Sequence, residues 1–255
     1  MEKVVEVVDV SMNYHTLEGE TQAIRKLNLY ITNGEFVSIV GPSGCGKSTL
    51  LSLISGIIMP TSGKILVNGK KVDGPSPSVG YMLQKDHLFE WRTIIKNITI
   101  GLEIQGKLNK ENQEFVEKLL NEYGLYEFRN YYPKQLSGGM RQRVALIRTL
   151  ATKPDILLLD EPFSALDYQT KIAISEEVWL ILKKEKKTAI LVTHDLAEAI
   201  SMSDRIIVLT KRPAEIKSIH QIKLTCDYKT PITCREAPEF RVYFNTIWRE
   251  LDVHV

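Results

Sequence analysis

Residues 41–49, GPSGCGKST, have the residue types and the spacing of a phosphate-binding loop. They fit the pattern G-x-x-x-x-G-K-[ST] and stand between a predicted strand and a predicted helix, the context that this pattern needs. Glycines let successive backbone N–H groups surround an anion, and the N-terminus of the helix adds partial positive charge. Without that context, the alternative is a glycine-rich turn with an incidental lysine. The segment therefore predicts a site for the phosphates of a nucleotide.

Two residues of this loop are each expected to bind a particular group of the nucleotide complex. Lys47 is expected to reach the β- and γ-phosphates, and the hydroxyl of Ser48 is expected to ligate Mg²⁺. The expected nucleotide contacts are Gly41, Pro42, Ser43, Gly44, Cys45, Gly46, Lys47, Ser48 and Thr49.

A pair of carboxylates follows the apolar segment 156–159 (ILLL) and is the second candidate for phosphate chemistry. A buried parallel strand would deliver Asp160 and Glu161 at its carboxyl end, where ligands bind in such sheets. Because adjacent residues of a strand point to opposite faces, the two acids are expected to play different parts. We expect Asp160 to hold Mg²⁺ through its water, and Glu161 to orient and deprotonate the water that attacks the γ-phosphate. The alternative is a strand end that happens to be acidic.

Hydrophobic patterning predicts the elements that position these groups. Short runs rich in β-branched residues alternate with segments of helical periodicity, which predicts an α/β fold with a doubly wound, largely parallel sheet. The predicted strands are 4–10, 23–31, 36–40, 63–67, 79–83, 156–159, 189–193 and 205–209, and the predicted helices are 47–55, 112–123, 139–151, 169–183, 196–202 and 240–251.

The domain organisation is expected to be one domain over residues 1–255 with an inserted lobe. Residues 1–90 and 153–255 carry the α/β patterning, whereas residues 91–152 change to helical patterns. We therefore predict an α/β core interrupted by a helical subdomain.

Composition limits the possible partners and locations. The formal net charge is +2, with opposite charges interspersed, so no nucleic-acid partner is expected. Cys45, Cys226 and Cys234 form neither a disulfide framework nor a zinc pattern, and we expect reduced thiols. The N-terminus has no apolar signal segment, and no apolar run reaches the roughly 20 residues needed to span a bilayer. If the chain works at a membrane, a partner must hold it there.

Residues 136–143, LSGGMRQR, closely resemble the signature of the ATP-binding cassette (ABC) ATPases. A helix cap is an equally valid physical description, since Ser137 can cap the helix that follows. The glycines after it would also allow a backbone to approach an anion at the helix N-terminus. In the resembled family, the signature acts on the nucleotide of a facing subunit. The resemblance therefore implies two ATPase subunits, either a homodimer or this chain with a close relative. Ser137, Gly138 and Gly139 of each would act on the partner's ATP.

Further residues match the family at the expected places. The resemblance implies that Tyr14 stacks on adenine, that Gln84 senses Mg²⁺ and links the two lobes, and that His194 contacts the γ-phosphate. It also implies that residues 164–167, which end in Asp167, cross the dimer interface. Taken alone, Tyr14 would be an edge-strand tyrosine, Gln84 a surface glutamine, and His194 a packing or surface histidine. The implied fold is a P-loop (RecA-like) core with an N-terminal antiparallel β part, and the implied cofactors are ATP and Mg²⁺.

Within the family, residues 88–93 (LFEWRT), 97–98 and 211–216 (KRPAEI) are similar to the ATPases of nitrate, sulfonate and taurine importers. Those proteins usually carry proline where Glu90 stands. The resemblance implies import of a small solute through a membrane permease, with Trp91 near a groove that receives a permease helix. It also implies an extracytoplasmic solute-binding protein and a peripheral position at the cytoplasmic face of the inner membrane.

Two alternatives share the same chemistry. An exporter subunit would hydrolyse ATP in the same way, because the direction of transport is not encoded in the hydrolytic residues. A soluble ABC ATPase of DNA repair or translation generally joins two cassettes or inserts a long coiled coil, and 255 residues hold neither.

Overall fold

The most apolar segments of the chain form a six-stranded sheet at the centre of the computed structural model, which describes residues 2–16, 19–226 and 230–251. Its strands are β3 (Phe36–Val40), β6 (Val79–Met82), β7 (Ile156–Asp160), β8 (Thr188–Val192), β9 (Arg205–Leu209) and β10 (Ile216–Gln221). Their order is β10-β9-β3-β8-β7-β6, and all neighbours run parallel except β10 against β9. Every residue of β3, β7, β8 and β9 is buried, as expected for parallel strands covered on both faces.

A second, antiparallel sheet contains the N-terminal strands in the order β2-β1-β4-β5. Its strands are β1 (Lys3–Thr16), β2 (Gly19–Thr32), β4 (Ser62–Val67) and β5 (Lys70–Lys71). β1 and β2 are both longer than their predicted cores. Their outer ends, where His15 pairs with Glu20, are polar and solvent-exposed, so only backbone pairing reveals them.

Eight α-helices are assigned within the described residues. They are α1 (Lys47–Ile54), α2 (Ile94–Ile104), α3 (Lys110–Glu122), α4 (Gly138–Ala151), α5 (Tyr168–Lys184), α6 (Leu196–Met202), α7 (Pro231–Cys234) and α8 (Pro238–Glu250). The helices α2, α3 and α4 fall within residues 91–152, the range predicted as an inserted lobe. None of the helices in the described ranges has the length and apolar character that a membrane span requires.

Four of these elements have no counterpart in the sequence prediction, namely α2, α7, β5 and β10. Helix α2 is rich in isoleucine, a β-branched residue that lowers helix propensity. It forms because Ile94, Ile98 and Leu102 lie on one face and are buried. Strand β10 is half-buried at the sheet edge, so its sequence lacks a continuous apolar run.

The core packs on both faces of the six-stranded sheet. One face packs against α1 and the antiparallel sheet, where Ile39, Leu51 and Leu158 are fully buried. The other face packs against α5 and α4, where Val178 and Val144 are fully buried. The sheet edge that carries the loops after β3, β6, β7 and β8 is therefore supported from both sides.

Candidate nucleotide-binding and hydrolysis site

Sheet order brings the predicted site residues together. Strands β6, β7, β8 and β3 are neighbours and parallel, so their carboxyl ends share one edge. Gln84 follows β6, Asp160 ends β7 with Glu161 next in the chain, His194 follows β8, and the phosphate loop follows β3. Residues far apart in the sequence thus meet at a single place.

A cavity of about 530 Å³ lies at this edge. It is lined by Gly41, Ser43, Gly44, Gly46, Lys47, Ser48, Thr49, Gln84, Glu161, His194 and Arg212. All but one of these were predicted as site residues. Arg212 was not, although it stands in the segment 211–216 that resembles the importer ATPases.

The phosphate loop needs glycine at two of its positions. Gly44 has a φ of 71° and Gly46 a φ of 123°, in the region that residues with a Cβ rarely adopt. A Cβ on Gly46 would also come within 3.1 Å of the carbonyl oxygen of Ala23. The loop then enters α1 directly at Lys47, so the N-terminus of the helix faces the cavity.

Lys47 is a buried cation held against its own loop. Its Nζ donates hydrogen bonds to the carbonyl oxygens of Gly41 at 2.8 Å and Pro42 at 2.9 Å. Pro42 and Cys45, which were also predicted as nucleotide contacts, are not among the residues that line the cavity. Burial raises the pKa of the Cys45 thiol, which packs beneath the loop.

Asp160 has the surroundings of a cation ligand. It is 3% exposed, and burial raises the pKa of its carboxyl, while a hydrogen bond with Ser48 opposes the shift. Tyr81 donates to Oδ2 at 3.4 Å, and burial raises the pKa of this tyrosine to about 12. The other oxygen, Oδ1, is buried with no hydrogen-bond partner within the described structure. A partnerless carboxylate oxygen near a serine hydroxyl fits the all-oxygen ligand set of Mg²⁺.

The carboxylate of Glu161 contacts two other predicted site residues, one at each oxygen. Gln84 Nε2 donates to its Oε2 at 3.1 Å, and His194 Nδ1 lies 3.4 Å from its Oε1. The two acids diverge for a reason other than the predicted strand alternation: β7 ends at Asp160, and Glu161 turns away with a left-handed φ of 48°. The carboxylate faces the cavity, where it could accept a proton from a bound water.

Gln142 supports this arrangement and was missed as a site residue. It is buried on α4, where its Nε2 donates to the carbonyl oxygen of Glu161 at 3.1 Å. Its Oε1 accepts from the backbone N–H of Ala165 at 2.9 Å. A polar residue on the apolar side of a predicted helix was the available signal, because a buried amide needs partners.

Tyr14 lies beside the end of the phosphate loop. Its hydroxyl is 3.3 Å from Thr49 Oγ1, and its ring is partly exposed. The structure thus brings Tyr14 next to the loop, on a strand of the antiparallel sheet.

The signature residues lie outside this cavity. Ser137 caps α4 by accepting a hydrogen bond from the Met140 N–H at 3.3 Å, so the predicted cap forms. A Cβ on Gly138 would meet no atom within 4 Å, and one on Gly139 would lie 3.1 Å from Leu166. Asp167 caps α5, and its hydrogen bond from Thr170 lowers the pKa of its carboxyl. Ser137, Gly138 and Gly139 therefore adjoin the 164–167 loop, away from the phosphate loop of the same chain.

The chain is similar to known ATP-binding cassettes along nearly its whole length. A sequence profile described as ABC transporter matches residues 24–164. An uncharacterized ABC transporter ATP-binding protein of Bacillus subtilis, YtlC, is 46% identical over 95% of this chain and 94% of its own. The nitrate import ATP-binding protein NrtD of Synechocystis sp. is 40% identical over 95% of this chain and 93% of its own.

A solved structure supports the same assignment. The dimeric ATP-binding cassette MJ0796, in a post-hydrolysis state bound to ADP and Pi, matches with a TM-score of 0.78 and 33% sequence identity. The match covers 86% of this chain and 99% of that one. The α/β fold with its phosphate loop is thus the fold of an ABC cassette. The chain belongs to the ABC transporter family and is one of its ATP-hydrolysing, ATP-binding subunits.

Proposed function

We propose that the cavity binds MgATP and that Glu161 is the general base of hydrolysis. The observation that carries this proposal is the convergence of Gln84, Glu161 and His194 on one cavity opposite the phosphate loop. In the proposed mechanism, the loop amides and Lys47 bind the phosphates, and Glu161 takes a proton from the attacking water. Gln84 and His194 hold the Glu161 carboxylate in place, and His194 faces the γ-phosphate.

We propose Ser48, Asp160 and Gln84 as the residues that hold Mg²⁺. The buried Oδ1 of Asp160, which has no hydrogen-bond partner among the described residues, supports this set, as does the position of Ser48 beside the Asp160 carboxyl. The cation would neutralise charge on the phosphates. Tyr14 supplies the aromatic ring beside the loop that would stack on adenine.

We further propose that the ATPase works as a dimer, with Ser137, Gly138 and Gly139 acting on the nucleotide of the facing subunit. The open surface over Gly138 and the position of these residues outside their own cavity support this arrangement. Ala165 and Leu166 of the 164–167 loop adjoin Gly139, so this loop and its last residue, Asp167, would lie in the same interface. The N-terminus of α4 would then face an anion, the ligand that helix N-termini favour.

We propose that the dimer energises import of a small solute through a membrane permease, and that it lies at the cytoplasmic face of the membrane. The similarity of segments 88–93 and 211–216 to importer ATPases supports this, as does the 40% identity to a protein named for nitrate import. Nitrate, a sulfonate or a similar small anion is the proposed solute class, delivered by an extracytoplasmic binding protein.

The direction of transport tests this function. The proteoliposomes contain this subunit and its permease, with the solute-binding protein on the opposite side of the membrane. In the presence of ATP, we expect them to move labelled nitrate or sulfonate towards the side that carries the ATPase. A vesicle preparation without nucleotide is the control for passive leakage. Transport away from the ATPase side would identify an exporter and contradict the proposal.

The loop between β6 and α2 is the proposed permease contact. Trp91 is 76% exposed and packs against Phe89, with ring centroids 5.1 Å apart. The fully buried Asn97 fixes this loop, since its amide bonds the backbone of Phe89, Arg92 and Thr93 at 2.7–3.1 Å. An exposed tryptophan on a rigid loop is typical of an interface hot spot.

We expect Trp91→Ala to leave the basal ATPase rate of the isolated subunit within a few-fold, because Trp91 does not line the nucleotide cavity. Transport in reconstituted vesicles should fall by about tenfold or more, the usual cost of losing an anchoring tryptophan. Both rates are measured on the same preparation, with circular dichroism to check folding. Ile104→Ala removes another exposed apolar group, at the end of α2, and should leave transport intact. Unchanged transport by Trp91→Ala would remove Trp91 from the contact.

A further inference from the structure

The turn between β9 and β10 runs along the whole phosphate loop. At one end, a Cβ built on Gly41 would lie 3.2 Å from Leu209 Cβ, where β9 ends. At the other end, a Cβ on Gly46 would lie 3.5 Å from Ala214 Cβ. Contacts this close at both ends mean that the turn forms a wall of the loop.

The turn itself is held rigidly. The backbone N–H of Ala214 donates to the carbonyl oxygen of Ala23 at 2.9 Å, and the carbonyl oxygen of Ala214 accepts from the Arg25 N–H at 3.1 Å. Within the turn, the Thr210 N–H donates to the Glu215 carbonyl at 3.0 Å, and the Thr210 hydroxyl donates to the Pro213 carbonyl at 3.2 Å. These hydrogen bonds fix the backbone of the turn, and therefore the Cα positions of its residues, relative to the phosphate loop.

Arg212 is the side chain that this turn directs at the middle of the loop. Its Nε and Nη2 donate to the carbonyl oxygen of Gly44, at 3.2 Å and 2.7 Å, and its side chain lines the nucleotide cavity. The acid of the same turn, Glu215, pairs instead with Arg25 at 3.2 Å. Glu215 therefore does not neutralise the guanidinium of Arg212, whose positive charge lies at the cavity.

We propose that Arg212 is a further nucleotide-binding residue, which adds a second positive charge beside Lys47 for the polyphosphate of the nucleotide. The bond to Gly44 keeps the guanidinium next to the loop whose amides bind the phosphates. A guanidinium has five N–H donors, so its contact with Gly44 leaves donors for phosphate oxygens. This inference rests on the proposed nucleotide site.

The test measures equilibrium binding of ATP to the full chain, by titration without Mg²⁺ so that hydrolysis does not interfere. We expect Arg212→Ala to weaken ATP binding by about 3- to 10-fold at low ionic strength, the scale of one partly screened charge-assisted contact. The difference should shrink at high salt, because the exposed charge is screened. Arg212→Lys should keep most of the affinity.

Arg212→Gln separates charge from loop support. Glutamine can still donate to the Gly44 carbonyl but carries no charge, so we expect it to bind ATP as weakly as the alanine variant. Lys70→Ala removes one exposed positive charge that does not line the cavity and should bind like the unmodified chain. Thermal unfolding checks that each variant is folded, and the lysine and glutamine variants still decide the question if the alanine variant unfolds.

Two results would overturn the proposal: ATP affinity of Arg212→Ala equal to that of the unmodified chain, or full affinity in Arg212→Gln. Lys47→Ala shows which idea has failed. If it loses ATP affinity while Arg212→Ala does not, the cavity binds nucleotide and Arg212 takes no part. If Lys47→Ala also binds normally, the proposed nucleotide site itself is wrong.

Discussion

Glu161→Gln should bind ATP with nearly unchanged affinity and hydrolyse it about 10²–10⁴-fold more slowly, which corresponds to roughly 3–5 kcal/mol of activation free energy. Glutamine keeps the shape of the side chain, and its oxygen can still accept the hydrogen bond from Gln84 Nε2. It has no basic carboxylate to take a proton from water. Steady-state phosphate release and ATP titration measure the two properties separately.

The same variant should also hold the closed dimer. Because ATP remains uncleaved, gel filtration with ATP should show a shift to the size of a dimer. Glu117→Gln, at an exposed position on α3, removes a carboxylate outside the cavity and should leave turnover unchanged. Near-normal hydrolysis by Glu161→Gln would exclude Glu161 as the base.

Ser137→Arg should leave ATP binding to the monomer nearly intact while lowering hydrolysis at least about 100-fold, the scale of losing preorganised groups at a phosphate. Ser137 lies outside the cavity of its own chain, so a bulky cation there obstructs only the facing nucleotide. Lys47→Ala should instead weaken ATP binding to the monomer, because it removes the buried ammonium from the loop. Binding and phosphate release are measured for each variant alone.

Mixing the two inactive variants should restore activity. In an equal mixture, half of the dimers combine both chains, and each of these has one site with an intact loop and an intact signature. The expected maximum is roughly a quarter of the unmodified rate, for a symmetric dimer with two independent sites. Ser137→Ala also removes the cap of α4, which costs about 0.5–2 kcal/mol of stability, so its thermal unfolding shows how much of any change in folding comes from losing the cap. Loss of ATP binding by a folded Ser137→Arg monomer would contradict the two-chain site.

Local sequence patterns predicted the elements whose cause is local. The apolar run that ends at Gly41 predicted the bounds of β3, and the helix from Leu196 to Met202 begins and ends as predicted. The phosphate loop was predictable for the same reason, since its glycines, its lysine and the helix that follows are contiguous. Helix α2 was not predictable, because burial against α4 outweighs the low helix propensity of its isoleucines.

The residues of the candidate site also fall into those with a local sequence signal and those without one. Lys47, Asp160 and Glu161 could be proposed from motifs, because each motif carries its own chemistry. Gln84 and His194 had no local signal and were proposed through the family resemblance alone. Their contacts with Glu161 depend on β6, β7 and β8 being neighbours, which is a property of the sheet order.

The sequence by itself determined that this chain has a phosphate-binding loop, a buried strand that ends in acids, and a second glycine segment at a helix N-terminus. Each of these features depends on the conformational freedom of glycine or on the hydrophobicity of a few consecutive residues, and both can be read from a short stretch of sequence. Only the tertiary structure decided which side chains meet: that Gln142 bonds the backbone of Glu161, and that Arg212 contacts Gly44 across 168 positions of the chain. The packing of α4 on the sheet brings Gln142 to the end of β7. The pairing of β9 with β3 brings Arg212 to the phosphate loop, because parallel strands far apart in sequence end at the same edge of one sheet.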